Sequence, residues 1–130
     1  ALAGLAAGVD YVQQQGLDSL RKREEQLTAS LLEGLRDLPG ITIYGPTDPV
    51  NRVAVISITM EGFDAHELAT LFDGLHGIEC RAGLHCAPRM HRALGTDRLG
   101  GTVRFSPGCF STADEVMTVV DAVKQVVEAN

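Results

Sequence analysis

Residues 102–120, TVRFSPGCFSTADEVMTVV, contain a strand, a break and the start of a helix. Polar and apolar side chains alternate over 102–106, and Pro107 ends the strand because proline cannot donate to a sheet. Thr112 is followed three residues later by Glu115, which is the pattern of a capping box. A helix is therefore predicted directly after this box, with the clearest apolar stripe in the chain: Val116, Val119, Val120, Val123, Val126 and Val127.

Upstream of this segment the chain shows further helices and strands. Leucine and valine at helical spacing predict a first helical region that Gly16 interrupts. The predicted elements are a helix at 1–38 in two pieces, strands at 41–44 and 53–60, a helix at 64–76, a strand at 78–82, a short helix between Pro88 and Gly95, and a mobile loop at 95–101. This order predicts one α+β domain over residues 1–130, with a mostly antiparallel sheet of about four strands packed against helices.

Composition excludes several function classes. The chain has 130 residues, of which 45% are hydrophobic and 22% charged, and this balance is typical of a globular domain. Its net charge of −6 and the absence of any basic run argue against nucleic-acid binding. No apolar stretch reaches the roughly 20 residues that cross a membrane. Three cysteines without metal-ligand spacing fit a reducing compartment, so we expect a cytoplasmic protein without a metal site.

The start of the sequence also carries an expectation. Ala1 already lies within a helical pattern, and no initiator methionine or basic leader precedes it. We therefore expect the chain to be a segment of a longer protein.

Cys86 lies where a thiolate is favoured. The stretch RAGLHCAP, residues 81–88, places it in a predicted turn directly ahead of a helix whose first turn contains Pro88. The positive end of a helix and nearby cationic side chains, here His85 and Arg81, stabilise a thiolate, which is the nucleophilic form. The alternative is an inert loop cysteine, and the local residues leave both interpretations open.

Arg104 lies in the middle of a predicted strand, on the same face as Thr102 and Ser106. On a small polar face the planar guanidinium can bind a carboxylate with two parallel hydrogen bonds. The alternative is a structural salt bridge to a nearby aspartate or glutamate. The spacing alone does not decide between them.

The remaining cysteines and histidines show no pattern of a functional site. Cys80 shares a strand face with Ile78, so we predict a core position in which it acts as a small hydrophobic residue. Cys109 lies in a loop, where we predict no neighbouring positive charge. Three histidines are scattered without ligand spacing: His66, His76 and His91.

Taken together, these motifs resemble a known family. RAGLHCAP at 81–88, TVRFSPG at 102–108 and FST at 110–112 resemble the C-terminal domain of class V aminotransferase-like cysteine desulfurases and selenocysteine lyases. The opening stretch ALAGLAAGVDYV at 1–12 resembles the part that follows the cofactor-binding region of those enzymes, so the resemblance covers essentially the whole chain. It implies the small C-terminal domain of a fold-type I pyridoxal-phosphate enzyme, and a homodimeric parent protein.

The resemblance also implies roles for individual residues. In the family, L-cysteine reacts with pyridoxal phosphate, and an active-site cysteine attacks its sulfur to give a persulfide and alanine. By matching motif, Cys86 is that nucleophile and Arg104 binds the substrate carboxylate. Arg81 and His85 line the same pocket, Arg81 for contact with the substrate or the persulfide. A downstream sulfur-acceptor protein is a further implied partner.

The sequence lacks two features of the family pattern, a cofactor-binding lysine and a second histidine before the cysteine. Lys22 and Lys124 are its two lysines, and neither lies in the setting that binds pyridoxal phosphate in the family. We therefore expect the large cofactor domain to lie outside this segment, which would be inactive and free of cofactor by itself. Leu84 stands where many relatives have a second histidine. The alternatives are a selenocysteine lyase acting on L-selenocysteine, a class V transaminase domain, and a stand-alone sulfur-carrier or partner-binding module.

Overall fold

The computed structural model describes residues 2–130. The described chain contains five α-helices: α1 (Leu2–Gln15), α2 (Leu17–Leu35), α3 (Ala65–His76), α4 (Pro88–Leu94) and α5 (Ala113–Ala129). It contains four strands: β1 (Ile41–Tyr44), β2 (Ile56–Met60), β3 (Arg81–Gly83) and β4 (Thr102–Phe105). Two short 3-10 turns lie at Pro49–Asn51 and Asp97–Leu99.

The four strands form one antiparallel sheet in the order β1-β2-β4-β3. Val103 of β4 pairs with Ile58 on one side and Ala82 on the other, and this row of side chains faces the core. The next residue, Arg104, pairs with Ser57 and Arg81, and this row faces the opposite way because side chains alternate along a strand. The predicted α+β fold with a four-stranded antiparallel sheet is confirmed.

Helices α2, α3 and α5 bury the core face of the sheet. Phe72 of α3 is fully buried, and its ring centroid lies 5.7 Å from that of Phe105. The predicted capping box at Thr112 forms before α5, and a second capping box forms at Asp64 before α3. Gly16 separates α1 from α2 with φ 79°, as the two-piece prediction requires.

Three predicted strands are longer than the observed ones, and the strand predicted over 102–106 differs only by its last residue. Residues 53–55 lie outside β2, where the guanidinium of Arg52 holds an irregular loop by donating to the carbonyl oxygens of Tyr44, Pro46 and Val55. The third predicted strand, 78–82, begins only at Arg81. Its partner β4 ends at Phe105, two residues before Pro107, so in this register residues 78 and 79 lie beyond the end of β4 and have no strand to pair with.

The glycine-rich segment 95–101 is more closely packed than an open loop. Asp97–Leu99 form a 3-10 turn, and Thr96 is buried beside it. Gly101 has φ 104° and lies so close to the carbonyl of Gly83 that a side chain would collide with it. The segment therefore fixes the end of β3 against the start of β4.

Candidate active site

Cys86 lies in a tight turn of residues 84–87 between β3 and α4. The backbone N–H of Ala87 donates to the carbonyl of Leu84 over 2.8 Å and closes the turn. His85 and Cys86 both have positive φ, at 50° and 61°, a region that residues other than glycine seldom occupy. Such a conformation costs on the order of 1–3 kcal/mol per residue and persists where the surroundings enforce it, often at functional sites.

The thiol of Cys86 is accessible and lies beside a cation. The side chain is exposed, and Nη2 of Arg81 lies 3.7 Å from its Sγ. A guanidinium at this distance stabilises negative charge on sulfur. The turn thus presents a thiol that can react with a molecule from solution.

Arg81 and Arg104 face each other across the β3–β4 pair. Side chains directly opposite in an antiparallel pair start about 4.5–5.5 Å apart, and like charges placed there destabilise the sheet. Neither arginine belongs to the ion pairs formed within residues 2–130, which are Arg21–Glu25 at 2.8 Å and Asp121–Lys124 at 3.8 Å. The two guanidinium groups are therefore not neutralised by a carboxylate of the described chain.

Arg104 has unused hydrogen-bonding capacity as well. Its Nε is buried and has no hydrogen-bond partner in residues 2–130. Because buried donors are usually satisfied, an unpaired guanidinium nitrogen on a residue paired across the strands with a second arginine marks a place that fits an anion from outside the chain. The structural salt bridge that the sequence left open is absent among the described residues.

His85 contacts the protein more closely than the sequence suggested. Its Nε2 lies 3.0 Å from both the carbonyl oxygen and the hydroxyl of Thr102, at the start of β4. Its ring packs against that of His91, with centroids 5.6 Å apart. Burial lowers the pKa of His85, and the nearby Arg104 guanidinium lowers it further.

The other two thiols differ from Cys86. Cys80 is half-buried against the core, as predicted, and burial, helped by Asp73, raises its pKa to about 11. Cys109 is also half-buried and lines a cavity of about 310 Å³ together with Lys22 and Arg23. The prediction that Cys109 has no cationic neighbours is therefore wrong, because residues distant in sequence supply them.

The lysines lie away from the paired arginines. Lys22 is on α2 and Lys124 is on α5, where it pairs with Asp121, and both helices pack on the core face of the sheet. Arg104 is on the opposite face. The described residues therefore do not complete a pyridoxal-phosphate site, since no lysine accompanies Cys86 and Arg104.

The described residues contain neither a metal centre nor a membrane-crossing helix. Within residues 2–130, no three His, Cys, Asp or Glu side chains come together as ligands for a metal ion. None of the helices in this range has both the length and the apolar character required to cross a bilayer.

Sequence reasoning missed the residues that support His85. Thr102 was placed on the strand face of Arg104, but its contact with the imidazole depends on the β3–β4 register. His91 is buried and its Nδ1 lies 2.7 Å from the Thr96 hydroxyl, although nothing in its spacing indicated such a pair. Gly83 directly before the turn was the available signal in the sequence. It predicted a turn, but it did not predict the positive φ angles of His85 and Cys86.

Comparison with known proteins identifies the family. The family described as Aminotransferase class-V matches residues 1–119. A probable cysteine desulfurase of Xylella fastidiosa is 40% identical over 123 residues, which is 95% of this chain and 28% of that protein. The apo structure of a cysteine desulfurase from Thermococcus onnurineus NA1 matches with a TM-score of 0.90 and 32% identity, over 98% of this chain and 30% of that one.

A more distant structure shares the fold. The cysteine desulfurase CsdA of Escherichia coli, in an S-sulfonic acid form, matches with a TM-score of 0.83 and 24% identity, over 97% of this chain and 30% of that one. The chain spans less than a third of the length of these relatives. The family generally depends on pyridoxal phosphate. The chain belongs to the class V aminotransferase family and is a cysteine desulfurase-like segment of it.

Proposed function

We propose that this chain is the sulfur-accepting segment of a pyridoxal-phosphate-dependent cysteine desulfurase, in which Cys86 receives sulfur from L-cysteine. The observation that carries the proposal is the exposed Cys86 thiol in its left-handed turn, with Nη2 of Arg81 at 3.7 Å from the sulfur. The guanidinium favours the attacking thiolate before transfer and the anionic persulfide after it.

The proposed transfer of sulfur from L-cysteine to Cys86 needs no external oxidant. The Cys86 thiolate attacks the sulfur of L-cysteine, so that a sulfur–sulfur bond forms and the carbon–sulfur bond of the substrate breaks. The electron pair of the broken bond stays on carbon, which takes up a proton and leaves as alanine. Pyridoxal phosphate, when bound, supplies the electron sink for such chemistry. We assign its lysine to the remainder of a longer protein, since Lys22 and Lys124 lie elsewhere.

Arg104 is proposed to bind the substrate carboxylate. The carboxylate would neutralise the repulsion between Arg104 and Arg81 and accept a hydrogen bond from the unpaired Nε. A single carboxylate would thus offset both the repulsion between the two arginines and the missing hydrogen bond of the Arg104 Nε. The family resemblance implies that His85 lines the same pocket, but its Nε2 is already engaged by Thr102, so we assign it no hydrogen bond to the substrate.

The wider setting is also a proposal. The resemblance supports a homodimeric parent that passes its persulfide sulfur to an acceptor protein, and three free thiols suit a reducing compartment such as the cytoplasm. L-Selenocysteine would fit the same site, with selenium in place of sulfur. A plain transaminase would not use the accessible thiol, and a stand-alone sulfur carrier would not need the paired arginines to hold a carboxylate.

Mass spectrometry of the longer, cofactor-loaded protein tests the proposal. After one turnover with L-cysteine, we expect one added sulfur atom on the peptide that contains Cys86, together with one equivalent of alanine. Cys86→Ser should lose both products, whereas the matched control Cys109→Ser should keep both. The isolated 130-residue chain should release no alanine. Added sulfur on Cys109 instead, or full turnover by Cys86→Ser, would contradict the assignment.

A further inference from the structure

A single imidazole connects the Cys86 turn to two other elements. Nε2 of His85 lies 3.0 Å from the carbonyl oxygen and 3.0 Å from the hydroxyl of Thr102 on β4. The ring also packs against buried His91 on α4, with an interplanar angle of 50°. The residue next to Cys86 is therefore held from two sides while its own backbone keeps the uncommon φ of 50°.

The contact with Thr102 identifies the protonated nitrogen. A carbonyl oxygen can only accept a hydrogen bond, so Nε2 must carry the hydrogen and donate it. In the neutral ring, Nδ1 then holds only a lone pair, and it is buried with no hydrogen-bond partner in residues 2–130. A second proton would create a buried N–H at Nδ1 that lacks an acceptor. The observed contacts thus fit the neutral ring.

The charges that face the ring act in the same direction. Burial lowers the pKa of His85 most, and Arg104 on β4, His91 on α4 and Arg81 on β3 each lower it further. The hydrogen bond to Thr102 raises it and only partly offsets these effects. No aspartate or glutamate of the described chain forms an ion pair with the imidazole.

We infer that His85 is a positioning residue whose neutral ring, hydrogen-bonded to Thr102, holds the left-handed turn that presents Cys86 beside Arg81. In this role the imidazole contacts the protein and not the substrate. The turn itself is a property of the chain, and only the meaning of Cys86 as sulfur acceptor rests on the proposed function.

A pH dependence follows from this role. An imidazole released from the turn would regain its ordinary pKa of about 6.5, whereas the folded turn lowers that pKa. The released form therefore binds protons more readily as the pH falls. The stabilisation that the His85 ring gives the turn is complete above about pH 6.5, and it is lost as the pH falls through the lowered pKa of the folded state.

Nuclear magnetic resonance of the 130-residue chain tests the inference without any turnover. We expect the backbone signals of Cys86 to report positive φ at neutral pH and to change with the titration of the His85 ring. His85→Gln can still donate to Thr102 but does not titrate, so its Cys86 signals should stay close to the wild-type signals of neutral pH at every pH. In His85→Ala the backbone signals of Cys86 should no longer report positive φ, even at neutral pH. His76→Gln, on α3, is the control and should leave the wild-type titration unchanged.

Kinetics of the longer protein separate positioning from substrate binding. His85→Gln should leave KM for L-cysteine within about twofold and shift only the acidic limb of the kcat profile. Cys86 signals that ignore the His85 titration, or that persist unchanged in His85→Ala, would overturn the inference. So would a large rise of KM in His85→Gln. Persulfide formation on Cys86 is measured separately, so a failure here is distinguishable from a failure of the proposed function.

Discussion

The two faces of the sheet are built on different physical grounds. On the core face, Ile58 and Val103 pair across β2 and β4 and are fully buried, so burial accounts for their identity. On the opposite face, Arg104 and Arg81 pair across β4 and β3 as two cations without a carboxylate among the described residues. The first arrangement stabilises the fold, and the second lowers stability unless an anion is bound. This difference is the ground on which we propose that the second face binds the substrate.

The largest expected effect is on the core face. Phe72→Ala removes a fully buried ring that packs on Phe105 and leaves a cavity, so it should lower the free energy of unfolding by about 3–5 kcal/mol. Urea denaturation of the chain measures this change.

Arg104→Ala is the matched variant on the opposite face. It removes one of two facing like charges. The free energy of unfolding should therefore fall by no more than about 0.5 kcal/mol or rise slightly. Equal destabilisation by Phe72→Ala and Arg104→Ala would contradict the division of the sheet into a stabilising and a binding face.

An effect on catalysis, smaller than the effect of Phe72→Ala on stability, is expected when the charge of Arg104 is kept but its planar shape is lost. In the longer protein, Arg104→Lys should lower kcat/KM for L-cysteine by a factor that corresponds to a loss of about 1.5–3 kcal/mol of transition-state stabilisation. The reason is that an ammonium cannot make the paired hydrogen bonds of a guanidinium. Arg21→Lys, on α2, is the control and should leave the kinetics unchanged. Steady-state rates over a range of L-cysteine concentrations measure both, and unchanged kinetics in Arg104→Lys would remove the carboxylate assignment.

Local signals in the sequence were sufficient for much of the fold. The capping boxes that start at Asp64 and Thr112 are formed by residues three positions apart, so they could be predicted before any tertiary contact was known. The strand character of β4 and its end before Pro107 follow from alternation and proline chemistry. The antiparallel α+β fold followed from the order of these elements.

The finer geometry of the site depends on contacts between distant residues. The late start of β3 reflects where β4 ends, and the cations near Cys109 come from α2. The facing of Arg81 and Arg104 needs the strand register, which neither motif contains. The left-handed form of the turn at His85 likewise could not be derived from a glycine-containing loop alone.

Competitive labelling of the three thiols in the folded chain asks whether Cys86 is the accessible thiol of a cationic site. With limiting iodoacetamide at mildly acidic pH, peptide mass spectrometry should find Cys86 modified first, and Cys80 last because its pKa is about 11. Arg104→Gln should slow the reaction of anionic iodoacetate with Cys86 by about two- to fivefold, slow iodoacetamide less, and leave Cys109 unchanged. Modification of Cys80 or Cys109 before Cys86, or equal effects of Arg104→Gln on both reagents, would contradict the account.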